Sequence, residues 1–275
     1  PSPSPTPTPV VPTPEPVPKS YSTGLPFDEP YEPVIAIIEN SSAARPQIGL
    51  QTADVVYEVP VEGGITRFVC VFSDNVPEEI MPVRSMRVPF LYIATEWEGV
   101  FMHYGGAGRK SSELSKDYSA YGHDLYDEIV YQIDGLKGKW NDYYYRIKDK
   151  SAPHNVMGNP KLAQELYDYE PEPLNWLFAS ESAYTGKAVN EINIALCSNI
   201  DDYVSYAYDK TSNVYMRSMR GKEFIAAETD SQLSVTNIVI QYSTYTTASK
   251  GRKLWMMTGS NVAEFYIGGQ YILGR

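Results

Sequence analysis

The stretch from Glu58 to Arg87 contains the ionisable residues best suited to chemistry in this sequence of 275 residues. Glu58 and Glu62 are four positions apart. If one strand contains both, the alternation of side chains along it places both carboxylates on one face. Carboxylates beside a reacting group serve as general bases or acids, so this pair is a candidate for catalysis.

Three arginines follow in the same stretch. Arg67 lies on the next predicted strand, and Arg84 and Arg87 stand on either side of Ser85, just ahead of a predicted helix. Guanidinium groups and the free amides at a helix start bind carboxylates and phosphates. The alternative is an internal, half-buried ion network with the two glutamates and nearby acids, which needs the same residue types. Residue types alone do not decide between the two.

Two of the three histidines lie in candidate site loops. His103 ends a predicted strand before Gly105-Gly106, and strand ends are where sites form in α/β folds. His154-Asn155 follows Pro153 in a polar loop, where the pair is suited to orienting a water or a ligand. Each has an ordinary alternative: a buried structural histidine, or a turn that satisfies its own backbone. His123 has weaker neighbours and is expected at the surface, and the spacing of the three matches no compact zinc pattern, so no metal site is predicted.

Three hypotheses of function follow, of which binding is favoured. The first is a module that holds an anionic or glycan envelope ligand, with ligand-binding residues Arg67, Arg84, Ser85, Arg87 and Asn155. The second is a hydrolase or transferase on envelope material, with catalytic candidates Glu58 or Glu62 as base and His103 or His154 as acid. The third is a scaffold that docks another protein through its many tyrosines, 23 in all. The sequence contains no G-x-S-x-G, H-E-x-x-H or P-loop motif, and no cofactor is predicted.

The elements that must position these residues divide into two parts. Short apolar runs predict strands at 34–38, 54–59, 65–72 and 100–104, helical spacing predicts a helix over 88–97, and Asn159-Pro160 caps a helix over 161–167. Farther on, the pattern predicts a hairpin at 204–217 and strands at 192–196, 235–242, 253–257 and 263–267. We therefore expect an α+β fold, with a mixed-sheet N-terminal subdomain over 21–187 and a mostly antiparallel β C-terminal subdomain over 188–275.

The N-terminal segment carries proline at nearly every second position from Pro1 to Pro18. Each proline fixes φ and removes an amide donor, so neither helix nor sheet can form. Residues 1–20 are thus predicted to be a stiff, disordered stalk that rises about 3.1 Å per residue and spans about 50 Å. A ligand for SH3 or WW domains is the competing interpretation; the stalk interpretation implies an exported protein held away from a cell envelope.

Composition narrows the partners and the compartment. The net charge of −11 repels phosphate backbones, so general nucleic-acid binding is disfavoured. No stretch of 18 apolar residues predicts a transmembrane helix. Cys70 and Cys197 lie in apolar runs and are expected to be buried thiols, with a disulfide between them as the alternative.

These motifs together resemble the YerB-like lipoproteins of Gram-positive bacteria, a family without an assigned biochemical role. The resemblance covers residues 22–275 and is carried by the following motifs: Thr23-Gly24-Leu25-Pro26, Glu39-Asn40, Ala44-Arg45-Pro46-Gln47, Gly49-Leu50, Ala53-Asp54, Tyr57-Glu58, Glu62-Gly63-Gly64-Ile65-Thr66-Arg67, Pro82-Val83-Arg84-Ser85 with Arg87, His103 with Gly105-Gly106, and Ala152-Pro153-His154-Asn155. It implies two subdomains of mixed α/β structure and one or two further strands after Gly274-Arg275. It also implies an extracellular location, with a lipid anchor just upstream of Pro1 on the outer face of the cytoplasmic membrane.

Overall fold

The computed structural model of the protein describes residues 17–106, 129, 131–174, 176–179, 185–197 and 203–275. Most of the predicted stalk, Gly108 at the end of the glycine loop, and His123 lie outside the described residues.

A five-stranded mixed sheet forms the N-terminal part. Its strands are β1 (Val34–Glu39), β2 (Val55–Pro60), β3 (Thr66–Phe72), β4 (Val100–His103) and β5 (Gln132–Asp134). Their order is β2-β3-β1-β4-β5; β3 is antiparallel to β1 and β2, whereas β1, β4 and β5 are parallel. Every residue of β1 and β3 is buried, because protein covers both faces of the sheet, as continuous apolar runs require.

Two short helices cover these faces. Helix α1 (Val88–Glu96) packs Phe90 and Leu91 against Ile35 and Ile37 of β1. Helix α2 (Pro160–Gln164) contributes to the core on the other face. The amide of Leu162 donates to Asn159 Oδ1 at 2.9 Å, so the predicted cap is confirmed, although α2 ends three residues earlier than expected. Single 3₁₀ turns span Ser42–Ala44, Glu62–Gly64, Gly138–Tyr143 and Ser249–Gly251.

The remaining strands are antiparallel. A short pair, β6 (Tyr144–Arg146) and β7 (Val156–Gly158), precedes the C-terminal part. One C-terminal sheet has the order β12-β11-β10-β9 and another the order β16-β19-β20-β8. The strands are β8 (Lys187–Ala188), β9 (Glu191–Ala195), β10 (Tyr203–Asp209), β11 (Val214–Met219), β12 (Lys222–Glu223), β13 (Ile225–Ala226), β14 (Ser231–Gln232), β15 (Ser234–Val235), β16 (Asn237–Gln241), β17 (Tyr245–Thr247), β18 (Lys253–Trp255), β19 (Ala263–Ile267) and β20 (Gln270–Gly274).

The balance of the two structure types differs from the expected α+β fold. The mixed N-terminal sheet and the antiparallel C-terminal sheets are confirmed, but strand residues far outnumber helical residues and the fold is mainly β. The physical reason is that the segments between strands are mostly turns of a few residues, too short for helices of several turns.

The C-terminal part packs directly onto the mixed sheet. Phe224, Ala226 and Leu233 belong to the same buried cluster as β1 and β3. Trp255 Nε1 donates to the carbonyl of Pro60 at 2.8 Å. The parts of the chain before and after residue 188 therefore share one hydrophobic core.

No helix among the described residues is long and apolar enough to cross a membrane. Cys70 and Cys197 are both thiols, so the disulfide alternative is wrong. The expectation of a buried thiol is confirmed for Cys70 and wrong for Cys197. Cys70 is fully buried in β3, whereas Cys197 is partly exposed.

Candidate functional site

The carboxyl ends of the parallel strands carry three ionisable residues. Glu39 ends β1, His103 ends β4 and Asp134 ends β5. Glu39 and His103 are 2% and 1% exposed. Ligands of open α/β sheets bind at this edge, where parallel strands diverge.

The segment containing Arg84 fills the gap where β1 and β4 separate. The amide of Arg84 donates to the carbonyl of Ile37 at 2.9 Å, and its own carbonyl accepts from the amide of Tyr104 at 3.1 Å. The hydroxyl of Ser85 donates to the carbonyl of Tyr104 at 2.9 Å. Backbone bonds to both neighbouring strands thus fix the position of Arg84, and Ser85 has a structural partner rather than an open hydroxyl.

Glu39 joins three separate segments at this edge. One carboxylate oxygen lies 3.1 Å from Arg84 Nε and 2.9 Å from His154 Nδ1. The other accepts from the hydroxyl of Ser41 at 2.8 Å. Arg84 and His154 keep 22% and 25% of their side chains exposed. The buried carboxylate therefore holds a guanidinium and an imidazole at the surface side by side.

Arg67 lies beside this cluster and is nearly sealed from solvent. It is opposite Glu39 in the pairing of β1 with β3 and is 5% exposed. One terminal nitrogen donates to the carbonyl of Ser85, while Nε has no hydrogen-bond partner among the described residues. Burial, and next the charge of Arg87, lower the pKa of Arg67 to about 9. A buried guanidinium without a carboxylate partner is costly.

Arg87 forms a closed pair with Glu62. Its Nε donates to both carboxylate oxygens at 3.1 and 3.0 Å, and a terminal nitrogen makes a further short contact. Burial acts to raise the pKa of Glu62, but hydrogen bonds and charge from Arg87 outweigh it and lower that pKa to about 2. The expectation of internal pairing fits Arg87, whereas Arg67 lacks such a partner.

The arginine cluster, defined as Arg67, Arg84 and Arg87, is therefore one charge in excess. Its three guanidinium groups face the two carboxylates of Glu39 and Glu62, which leaves one positive charge uncompensated. The charges of Glu39, Glu62, Arg84 and Arg87 all act on Arg67, so these five groups form one electrostatic unit.

Glu58 lies outside that unit. Its two oxygens pair with Arg217 of β11 at 2.9 and 3.1 Å, and one accepts from Thr66 and Asn40 at 2.7 and 3.0 Å. The expectation that Glu58 and Glu62 share a strand face is wrong, because β2 ends at Pro60 and Gly63 turns the chain with a φ of 80°.

Arg217 fastens the C-terminal sheet to the mixed sheet. It is 1% exposed, and its guanidinium lies 5.4 Å from the ring centroid of Phe68 and 4.7 Å from that of Phe224. The pairing of Glu58 with Arg217 accounts for both charges without a ligand.

His103 is a buried member of the same sheet edge. Its Nδ1 donates to the carbonyl of Gly105 at 2.9 Å and lies 3.9 Å from Asp134 Oδ1. Burial lowers the pKa of His103, against the opposing charge of Asp134. The imidazole lacks the solvent contact that a proton donor to an external substrate needs.

The loop that supplies His154 is held by its neighbour Asn155. The side chain of Asn155 accepts from Arg146 at 2.6 Å and donates to the carbonyl of Ile147 at 3.1 Å. Lys150 donates to the carbonyls of Ala44 and Arg45 at 2.8 and 3.0 Å. These bonds position the loop, so Asn155 has a structural partner at both ends of its amide.

The structure thus brings together Arg67, Arg84, Arg87, Glu62 and His154, and it separates Glu58 and His103 from them. Sequence reasoning missed Glu39 and Arg217 as central residues. A signal existed for Glu39, because a carboxylate directly after five apolar strand residues is buried and must find partners. Among the described residues, no group of three or more histidines, cysteines or carboxylates is arranged to hold a metal ion.

Comparisons with known proteins agree with the resemblance seen in the motifs. The family model "Protein of unknown function (DUF3048) N-terminal domain" matches residues 22–171, and the model for the DUF3048 C-terminal domain matches residues 192–275. A protein of Bacillus subtilis (strain 168) named "Putative lipoprotein YerB" is 32% identical over 213 residues, which are 76% of this chain and 61% of that protein. The chain therefore spans less than two thirds of that relative's length. The crystal structure of YerB protein from Bacillus subtilis matches with a TM-score of 0.75 and 28% identity, over 93% of this chain and 85% of the other.

Proposed function

Because this chain belongs to the DUF3048 family, we propose that it is an envelope lipoprotein that binds an anionic or glycan ligand at the arginine cluster. The name of its Bacillus subtilis relative supports a lipid anchor on the outer face of the cytoplasmic membrane. The proline-rich segment supports a spacer between that anchor and the site.

The observation that carries the binding proposal is that the guanidinium of Arg67 is buried without a carboxylate partner among the described residues. Buried charges in folded proteins are paired or bind an ion. The guanidinium of Arg67 donates to one carbonyl, and its Nε has no hydrogen-bond partner among the described residues. The cluster around it holds one positive charge in excess. A bound oxyanion supplies both the missing acceptor and the missing charge.

The exposed side of the site is formed by Arg84 and His154. We propose that a carboxylate or phosphate binds both Arg84 and the deeper Arg67, because guanidinium groups bind such planar or tetrahedral oxygen sets with two parallel bonds. Envelope glycans that carry lactyl carboxylates or phosphates present these groups beside sugar hydroxyls, which Ser41 and His154 are placed to contact.

Thermal unfolding of the chain with inorganic phosphate and with N-acetylmuramic acid tests this proposal. We expect at least one of the two to raise the unfolding temperature of the wild type, and Arg84→Gln to remove that effect. Arg275 directly follows β20, and its Nε donates to the hydroxyl of Ser260 at 3.1 Å. Arg275→Gln is the matched control and should respond as the wild type does. Equal responses in both variants, or none in the wild type, contradict the proposal.

One specific contact favours a second candidate, a hydrolase. The 2.9 Å contact between His154 Nδ1 and Glu39 fixes the imidazole with Nε2 as the remaining basic nitrogen, as in carboxylate–histidine pairs of hydrolases. In that reaction, water adds to a phosphoryl or acyl centre, Nε2 takes its proton, and the leaving group then receives a proton. Release of p-nitrophenolate from bis(p-nitrophenyl) phosphate by the wild type, abolished in His154→Gln, favours this candidate.

A further inference from the structure

A cleft lies at the end of the mixed sheet opposite the arginine cluster. It has a volume of about 420 Å³ and lies between the segment that enters β1 and the segment around Tyr169. Ser73 and Asp74, which follow the end of β3, form its floor. The arginine cluster lies at the other edge, where β1 ends and β3 begins. The two sites are therefore separated by the length of the strands.

Aromatic rings form two walls of this cleft. Tyr21 and Tyr31 meet as a corner, with ring centroids 5.4 Å apart and planes at 74°. Tyr169 stands on the other side and stacks on Tyr167 at 4.8 Å.

Hydrogen bonds at their far ends fix these rings. The hydroxyl of Tyr31 donates to the carbonyl of Trp97 at 3.2 Å, and that of Tyr169 donates to the carbonyl of Glu98 at 2.8 Å. These bonds hold the rings of Tyr31 and Tyr169, which both line the cleft, in place before any ligand arrives.

The cleft carries a strong excess of carboxylates. Asp28, Glu29, Glu32 and Glu170 line it together with one cation, Lys19, and none of the four carboxylates forms an ion pair with a described residue. Burial raises the pKa of Tyr31 and of Tyr169, and the charge of Glu98 adds to this effect at both hydroxyls.

Asp74 differs from these four carboxylates. It accepts hydroxyl hydrogen bonds from Ser20, Ser22 and Thr23 at 2.7 to 3.1 Å. These bonds tie the entering chain to the sheet and account for that one acid. No described residue forms an ion pair or a side-chain hydrogen bond with the other four carboxylates.

From this combination we infer that the cleft binds an organic cation of the alkylammonium class, such as a polyamine or a lysine side chain. An ammonium group is attracted to the face of a tyrosine ring by the ring's quadrupole, and perpendicular rings allow contact with two faces at once. Carboxylates at the rim satisfy the N–H groups that point away from the rings. The volume lies within the range of about 300–1,000 Å³ that is usual for small-molecule sites.

Isothermal titration calorimetry on the full chain at low ionic strength tests the inference. Spermidine is the probe for a free polyamine, and Nα-acetyl-lysine methylamide is the probe for a lysine side chain. Nα,Nε-diacetyl-lysine methylamide lacks the charge and should not bind. We expect Tyr21→Leu to weaken binding by about fivefold, the effect of one ring contact of about 1 kcal/mol. Glu29→Gln should weaken it by a similar factor, the effect of one carboxylate contact of about 1 kcal/mol.

Two control variants remove the same groups elsewhere. Tyr242→Leu removes a ring that is 50% exposed on another face, and Glu223→Gln neutralises an exposed carboxylate of β12. Both should bind both probes as the wild type does, and so should Arg84→Gln, so failure here is distinct from failure at the arginine cluster. Absence of heat at millimolar probe, or equal weakening in control and cleft variants, overturns the inference.

Discussion

Replacement of Arg67 by methionine should separate binding from stability. If the guanidinium of Arg67 is present to hold an anion, its burial costs free energy in the protein without a ligand. Arg67→Met fills a similar volume without the charge, so we expect a protein that is at least as stable as the wild type and that no longer responds to phosphate or N-acetylmuramic acid.

The magnitude follows from the surroundings of the side chain. The pKa of Arg67 falls from 12.5 to about 9, which corresponds to about 5 kcal/mol at about 1.4 kcal/mol for each tenfold change. Against this, the carbonyl of Ser85 loses its donor, and an unsatisfied buried acceptor costs about 1–3 kcal/mol. The expected net effect is a gain of about 2–4 kcal/mol, comparable with replacements of other buried charges by apolar residues.

Urea unfolding of both proteins at pH 7, with and without the anion, measures this balance. Arg67→Met should be more stable than the wild type only without ligand. An anion that binds the folded wild type and not the variant stabilises the wild type by mass action and removes the difference. Arg87→Met is the matched comparison and should lose stability, since it leaves Glu62 without its partner. If Arg67→Met instead loses more than about 2 kcal/mol, Arg67 is a satisfied structural residue and the reasoning fails.

The remaining predictions concern the contribution of Arg217 to stability, the pH dependence of the Glu62–Arg87 pair and the reactivity of Cys70. Arg217→Met should lower the free energy of unfolding by about 3–5 kcal/mol, since it leaves the carboxylate of Glu58 buried without its cation. Urea unfolding measures this change, with Lys222→Met, a substitution at an exposed position, as the control. A loss below about 1 kcal/mol would contradict the prediction. The folded pKa of Glu62, about 2, lies below its ordinary value of 4.5, so its pair with Arg87 stabilises the fold above about pH 4.5 and loses that contribution as the pH falls toward 2. Glu62→Gln should therefore lose about 2–3 kcal/mol at pH 7, and the difference from wild type should shrink in unfolding curves taken at successively lower pH; a constant difference would refute it. Cys70 is fully buried and burial raises its pKa, so in Cys197→Ser the remaining thiol should react with a disulfide reagent only after unfolding, and rapid reaction of the folded protein would show the interpretation to be wrong.

Elements with a strong local pattern were predictable from the sequence. The strand from Val34 and the hairpin of β10 and β11 follow apolar runs and alternation, and α2 follows its cap at Asn159. Strands such as β5, β6 and β7 contain three residues each. Three residues are too few to show the alternation of apolar and polar side chains that indicates a strand. Only pairing with neighbouring strands in the folded protein makes these segments strands.

The candidate site was predictable in its residue types but not in its pairings. Arg84 and His154 were expected and lie side by side, yet the carboxylate that joins them, Glu39, is 115 positions from His154 along the chain. Glu58 illustrates the same limit, because its partner Arg217 is 159 positions away. Such pairings depend on which strands become neighbours, and local spacing contains no information about that.

The net charge of the chain does not determine whether an anion can bind at the arginine cluster, because the local field there differs from the average surface field. The net charge of −11 suggests that anions are repelled, and at physiological salt that surface field is screened over about 8 Å. The field inside the arginine cluster is different, because Arg67 lies in a region of low dielectric where salt screens little. An anion that reaches the mouth at Arg84 therefore meets the local excess of positive charge rather than the average surface. The tyrosine-walled cleft at the other edge lies in the acidic majority, so the same fold places sites of opposite sign at the two ends of one sheet.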